Sequence, residues 1–171
     1  MMLPSGNDAA MALAETLGEF LCDCEEKSSE ASVKCFVREM NKFAKQLELH
    51  YTRYLNPHGM NPGNMSTVGD CNRLARYILA EPKLMAICNA TVHTSKIQCG
   101  IGFRRQTWKN TNKLLSKGYG GIKTGTTVKA GACLVAYHPE GNYLVTVLNS
   151  SSSDQRWRDV ERLVKWSGGF I

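Results

Sequence analysis

Two short apolar runs in the C-terminal third of the sequence constrain the fold more than any other feature. They are GACLVAYH at 131–138 and YLVTVLNS at 143–150, separated only by PEGN. Apolar runs of this length, joined by a turn that contains proline and glycine, are typical of an antiparallel hairpin. The sequence therefore predicts an α+β protein, in which helices cover an antiparallel sheet.

The N-terminal half is helical in pattern. Apolar residues recur at three- and four-residue spacing over 10–21 and again over 33–47. The segment PSGND precedes the first stretch, and we expect Ser5, Asn7 or Asp8 to cap its free amides. Two helices are thus predicted before the loop NPHGMNPGN.

The remaining elements follow from local signals. Ser66 and Asp70 flank the expected start of a third helix, and Pro82 suits the first turn of a fourth. The stretches TVHTSKIQ and GIGFRRQTW are predicted to be short strands. A last helix is predicted from the apolar residues Trp157, Val160, Leu163 and Val164. We expect one domain over 1–171, mainly helical over about 1–90 and formed by a sheet hairpin and a C-terminal helix over about 91–171.

Composition limits the partners that can be expected. The chain has a formal charge of +6, but no nucleic-acid-reading motif accompanies it, so nucleic-acid binding is not expected. No apolar run approaches the length of a membrane span, and the N-terminus lacks the basic segment of a signal peptide. The compartment is therefore not predicted from these residues.

The seven cysteines contain no C-x-x-C pair, so no zinc site, metal or other cofactor is predicted. We expect these cysteines to behave as small buried hydrophobes. They are Cys22, Cys24, Cys35, Cys71, Cys88, Cys99 and Cys133.

Three polar features could carry chemistry: SGN at 5–7, KTGT at 123–126, and Arg158. Each has an ordinary structural explanation when it is taken alone. The first could be a helix cap, the second a solvated turn, and the third a surface residue.

Together with their flanks, these features resemble the D-alanyl-D-alanine carboxypeptidases, the low-molecular-mass penicillin-binding proteins of peptidase family S11. The resemblance runs from Leu3 to about Phe170. Its landmarks, in order, are LPSGNDAAMALAE, NPHGMNPGNMSTVGD, NTNKLL, GYGGIKTGTTVKAGACLVA and RDVERLVKW. It implies a penicillin-binding or β-lactamase-like transpeptidase fold and a D-alanyl-D-alanine peptide or a β-lactam as partner.

The resemblance also implies roles for residues of this chain. Ser5 would pass a proton toward the leaving amine, and Asn7 would hold the substrate amide. Lys123 would supply positive potential to the site and stabilise charge around Ser5.

The second set of implied roles concerns substrate binding. Thr124, Thr126 and Arg158 would bind the terminal carboxylate, since a guanidinium can bind both of its oxygens. The Thr126 amide would form half of the oxyanion hole. Gly125 would leave room for the substrate to lie against the strand edge.

One motif of the family is missing. The family attacks the peptide bond with a serine from a Ser-x-x-Lys motif, yet no serine here has a lysine three positions later. In the family this nucleophile lies well upstream of Ser-x-Asn, whereas four residues precede Ser5. We therefore expect an N-terminally truncated catalytic domain that lacks its first strands and nucleophile helix and is inactive alone.

Two alternatives stay open. A non-catalytic module could bind peptidoglycan peptides or penicillin through Lys123, Thr124 and Arg158. A class A β-lactamase is less well supported, because no glutamate is followed by an asparagine four positions later. Family members usually work outside the cytoplasm.

Overall fold

The computed structural model of this chain describes residues 1–22 and 28–168. Its helices and strands follow the order that the sequence pattern predicts: helices first, then strands, then one last helix. The α-helices are α1 (Asn7–Leu21), α2 (Ser29–Gln46), α3 (Val68–Leu79), α4 (Pro82–Asn89) and α5 (Gln155–Ser167). The strands are β1 (Val92–Cys99), β2 (Gly102–Lys109), β3 (Gly120–Thr127), β4 (Gly131–His138) and β5 (Tyr143–Ser150), and a short 3-10 helix, Lys113–Lys117, precedes β3.

A three-stranded antiparallel sheet, ordered β3-β4-β5, forms the centre of the molecule. Its central strand β4 is buried at every second position, and Leu134 is 0% exposed. On this face Leu134 packs with Val147 and with Trp157 and Val160 of α5. On the other face α3 approaches β5, where the Thr146 hydroxyl donates to Asn72 Oδ1 at 2.6 Å. The predicted α+β architecture and its hairpin are confirmed.

Within residues 1–22 and 28–168, strands β1 and β2 pair only with each other and form a separate two-stranded hairpin. Both strands were predicted, but their separation from the main sheet was not. The base of the hairpin is fixed by Asn110, whose side-chain amide donates to the carbonyls of Cys88 and Ala90, both at 3.0 Å. The Asn110 backbone amide also donates to Thr91 O at 2.8 Å.

Helices α1 and α2 pack closely against each other. A Cβ at Gly18 would lie 2.0 Å from the backbone oxygen of Ser32, so only glycine permits this approach. A disulfide joins Cys22 to Cys35, with a Cα–Cα distance of 6.4 Å that lies in the usual range. The expectation that these two cysteines are free buried hydrophobes is therefore wrong.

The other cysteines differ among themselves. Cys88 is buried as expected, Cys71 and Cys133 are half-buried, and Cys99 is exposed at the tip of the hairpin. Cys24 lies outside the described residues. Burial of the thiol raises the pKa of Cys71 and that of Cys88, and the Lys123 ammonium partly offsets the rise at Cys88.

Two local predictions concern the starts of α1 and α3. Helix α1 begins after Gly6, which has no side chain to cap it, but the Asp8 carboxylate accepts from the free Ala9 amide at 2.8 Å, as one of the expected caps would. Helix α3 begins after Thr67, whose hydroxyl accepts from the Asp70 amide. Asp70 is 1% exposed, and its carboxylate accepts from the Tyr51 amide and the Thr52 hydroxyl, each at 2.8 Å. It therefore holds the loop before α3.

No helix within residues 1–22 and 28–168 combines the length and the apolar character that crossing a membrane requires.

Candidate active site

A direct hydrogen bond joins the two motifs that the sequence singles out. Lys123 Nζ donates to Ser5 Oγ at 2.7 Å, although the two residues are 118 positions apart in the chain. Lys123 Nζ also donates to the carbonyl of Thr124 at 2.7 Å. A short hydrogen bond to a cation polarises the Ser5 hydroxyl and keeps it in one orientation.

Local backbone structure places these side chains. Ser5 has φ 57°, in the left-handed region that a serine adopts only under constraint. The Gly6 amide donates to Met1 O at 3.1 Å, which closes a turn around Ser5. The Thr111 amide donates to Leu3 O at 3.1 Å and ties this turn to the segment that follows β2. Strand β3 has an irregularity between Gly121 and Lys123, directly before the lysine.

The surroundings of Lys123 lower the pKa of its ammonium group. Burial lowers the pKa of Lys123, and the positive charge of Arg156 lowers it further. A lysine with a lowered pKa releases its proton more readily than a surface lysine.

Arg156 brings a second positive charge to the sheet. Its side chain is 7% exposed in the structure. One guanidinium nitrogen, Nη1, donates to Gly125 O at 3.0 Å, to Thr126 Oγ1 at 2.9 Å and to Cys133 O at 3.3 Å. The guanidinium also stacks on the ring of Trp157, 4.4 Å from its centroid. Burial lowers the pKa of Arg156.

The remaining predicted residues of the KTGT segment differ in their surroundings. Thr124 is buried, and its hydroxyl is hydrogen-bonded to that of Thr111 at 2.6 Å. Gly125 and Thr126 are exposed. A Cβ added at Gly125 would meet only the Cβ of Cys133, at 4.0 Å, so the space beside this glycine is open.

The structure does not bring Arg158 to this site. Arg158 is exposed and lies in a surface hollow with Glu161, Arg162 and other polar residues of α5. The physical reason is helix periodicity, which turns residues two positions apart to opposite sides. Arg156, four residues before the buried Val160, faces the sheet instead.

Sequence reasoning therefore missed Arg156, although a signal was present. The stretch RWRDV offers two arginines, and only Arg156 shares the helix face of the apolar residue four positions later.

Ser5, Asn7 and Lys123 line one open cavity of about 290 Å³ between α1, α3 and β3. Pro57 and His58 of the loop before α3 also line it. The rest of the lining is mainly apolar: Ala10, Leu74, Ala75, Ile78, Ile122 and Val135. The described residues contain no cluster of three or more His, Cys, Asp or Glu side chains that could hold a metal ion.

Comparisons with known proteins agree with this geometry. Residues 1–151 match the sequence profile of peptidase family S11, D-alanyl-D-alanine carboxypeptidase. The chain is 35% identical to a D-alanyl-D-alanine carboxypeptidase of Streptomyces sp. strain K15, over 97% of this chain and 57% of that protein. It is 31% identical to the carboxypeptidase DacC of Escherichia coli, over 100% of this chain and 40% of that protein.

Solved structures give the same result. The crystal structure of the Streptomyces K15 DD-transpeptidase superposes with a TM-score of 0.86 at 34% identity, covering 96% of this chain and 63% of that chain. Penicillin-binding protein D2 of Listeria monocytogenes, in its cefotaxime-bound form, gives 0.71 at 28% identity, covering 96% and 62%. The chain thus spans about 40–60% of the length of these relatives.

The fold, the joined Ser-x-Asn and Lys-Thr-Gly motifs and the profile match lead to one conclusion: the chain belongs to the D-alanyl-D-alanine carboxypeptidase family, whose members are serine hydrolases.

Proposed function

We propose that this chain forms the substrate-binding wall of a serine-type D-alanyl-D-alanine carboxypeptidase, which hydrolyses the terminal D-alanine of peptidoglycan stem peptides. The observation that carries the proposal is the 2.7 Å hydrogen bond from Lys123 Nζ to Ser5 Oγ. It supports proton transfer through a hydroxyl whose developing charge is stabilised by a partly buried ammonium group.

In this proposal each residue has one task. Ser5 passes to the leaving amine the proton that the attacking hydroxyl gives up, and the Lys123 ammonium stabilises the charge that develops on Ser5 Oγ. Asn7, which lines the same cavity, binds the amide of the peptide. The serine that forms the acyl-enzyme is not assigned to a residue of this chain.

Carboxylate binding is assigned to the C-terminal end of β3. The exposed Thr126 hydroxyl would donate to the carboxylate while it accepts from Arg156. Arg156 would hold this strand end in place and add positive charge. Thr124 is buried and would support this strand end through the hydrogen bond between its hydroxyl and that of Thr111. Gly125 leaves the space in which the peptide lies.

The test measures, by NMR, the binding of a diacetyl-lysyl-D-alanyl-D-alanine peptide to the 171-residue chain. We expect Lys123→Met to weaken binding at least tenfold, because the variant loses the charge and the contact to Ser5. Arg158→Ala is the matched control and should bind like the unaltered chain. Equal binding by Lys123→Met, or equal binding of the L-alanyl-L-alanine peptide, would contradict the proposed site.

A second candidate is a peptide-binding module without turnover. The Lys123 ammonium, which is hydrogen-bonded to Ser5 Oγ, also suits reversible binding of an anionic peptide end. Labelled penicillin distinguishes the two, since an acyl-enzyme survives denaturation and a reversible complex does not. We expect no covalent label on this chain and stable label on a version joined to a Ser-x-x-Lys segment from a relative. Failure of the joined version to label would favour the module.

A further inference from the structure

The β1–β2 hairpin carries a charged surface that the candidate site does not use. Residues 82–139 contain nine lysines and arginines and neither aspartate nor glutamate. Four of these basic residues lie on the hairpin: Lys96, Arg104, Arg105 and Lys109. None of the four forms an ion pair with a residue that the structure describes. Their charge is therefore available to an anionic partner.

Three of these charges share one face of the hairpin. Lys96 lies directly opposite Arg105 in the strand register. Lys109 follows Arg105 by four residues, and the two-residue period of a strand places it on the same side. Like charges directly opposite each other destabilise a strand pair. An anion on this face would remove that repulsion, so the arrangement favours a bound anionic surface.

The tip of the same hairpin is apolar. Ile101, in the turn, is fully exposed, and Phe103 is 73% exposed. Phe103 lies two residues before Arg105 and so shares its face. Apolar side chains at one end and lysine or arginine behind them are typical of segments that enter the headgroup layer of a membrane.

We propose that the β1–β2 hairpin docks on the surface of a membrane that contains anionic lipids. Ile101 and Phe103 enter the headgroup layer, and Lys96, Arg105 and Lys109 contact lipid phosphates. A nucleic acid would use the same charges but would leave the aliphatic side chain of Ile101 without a role.

The base of the hairpin gives this docking a consequence for the candidate site. The Thr111 amide, two residues beyond β2, donates to Leu3 O, and the Thr111 hydroxyl bonds to Thr124. Leu3 and Thr124 are close in sequence to Ser5 and Lys123. The hairpin therefore holds the candidate site near the membrane surface on which it docks.

The test is co-sedimentation of the 171-residue chain with vesicles, at low and at high salt. One vesicle is pure phosphatidylcholine, and the other contains 30% phosphatidylglycerol. We expect binding to the anionic vesicles alone, and weaker binding at high salt. Lys96→Gln with Arg105→Gln should reduce the affinity about 30-fold, since each basic residue near an anionic surface contributes about fivefold. Ile101→Ser with Phe103→Ser should reduce it at least tenfold.

The matched control is Lys83→Gln with Lys165→Gln, which removes two exposed lysines that lie outside the hairpin. Its net charge equals that of the Lys96 and Arg105 variant. This variant should bind more tightly than the Lys96 and Arg105 variant, and circular dichroism checks that all variants are folded. Equal losses in the two would overturn the proposal, as would equal binding to the neutral vesicles. Binding to single-stranded DNA but not to vesicles, or hairpin-dependent dimerisation without vesicle binding, would also overturn it. The assay contains no peptide, so its outcome is independent of the proposed enzymatic function.

Discussion

The two antiparallel sheets of this protein have strands of equal length, but one sheet is largely buried and the other is largely exposed. In the three-stranded sheet, β4 is buried at every second residue, and α5 covers one face. In the β1–β2 hairpin no residue is fully buried, and only Ser95, Ile97, Gln106 and Trp108 are half-buried. Side-chain packing thus stabilises the three-stranded sheet, whereas hydrogen bonds at the base of the β1–β2 hairpin fix the position of that hairpin. We expect substitutions to act on stability in one and on surface properties in the other.

The largest expected effect comes from truncating the centre of the packed sheet. Leu134→Ala should lower the free energy of unfolding by about 3–4 kcal/mol, because it leaves a cavity under α5. The matched substitution in the hairpin, Phe103→Ala, should change it by less than about 0.5 kcal/mol. Urea unfolding of both variants measures the difference. Comparable losses would show that the hairpin is packed after all.

Next in size is the buried guanidinium at the end of β3. Arg156→Ala should cost about 2–3 kcal/mol, since the carbonyls of Gly125 and Cys133 lose a charged donor. The exposed neighbour serves as control, and Arg158→Ala should stay within about 0.5 kcal/mol of the unaltered chain. Thermal denaturation followed by circular dichroism compares them. A larger loss at Arg158 would contradict the described orientation of α5.

A smaller and local effect is expected at the base of the hairpin. Asn110→Ala removes two hydrogen bonds to backbone carbonyls, which should cost about 1–2 kcal/mol. Amide hydrogen exchange should then rise roughly tenfold in β1 and β2 and stay unchanged in β4. Gln106→Ala removes a carboxamide from the hairpin stem and is the control. If exchange in all strands rises together, the hairpin is not an independent unit.

The smallest expected effect is a difference in the rates at which the free thiols are alkylated. At pH 8, iodoacetamide should react first with the exposed Cys99 of the hairpin. Cys71 and Cys88 should react more slowly, because burial raises their pKa and leaves less thiolate at this pH. Their rates should rise as the pH is raised toward and above 9. Mass spectrometry of tryptic peptides identifies the order, and faster labelling of Cys88 than of Cys99 would contradict the described burial.

The sequence predicted those elements whose signal is local. Strands β4 and β5 were predicted from two apolar runs joined by a turn that contains proline and glycine. The partition into two sheets could not be predicted, because it depends on which strand edges meet in space. The start of α3 lies between Ser66 and Asp70 as predicted, and the residue that caps it is Thr67.

The candidate site was predicted through resemblance more than through pattern. No rule of spacing links Ser5 to Lys123, because a contact across 118 residues depends on the whole fold. The choice between Arg156 and Arg158, by contrast, was within reach of helix periodicity. The Cys22–Cys35 disulfide could not have been assigned, because seven cysteines without paired spacing allow many partners.

The contact between Ser5 and Lys123 can form only at a late point in the synthesis of the chain. Ribosomes add about 5–20 residues per second, so roughly 6–24 s pass between the appearance of Ser5 and that of Lys123. Throughout this interval the turn around Ser5 has no lysine to bond, although α1 and α2 can already pair. The candidate site therefore cannot be complete until β3 has been synthesised, after α1 to α4 and before α5.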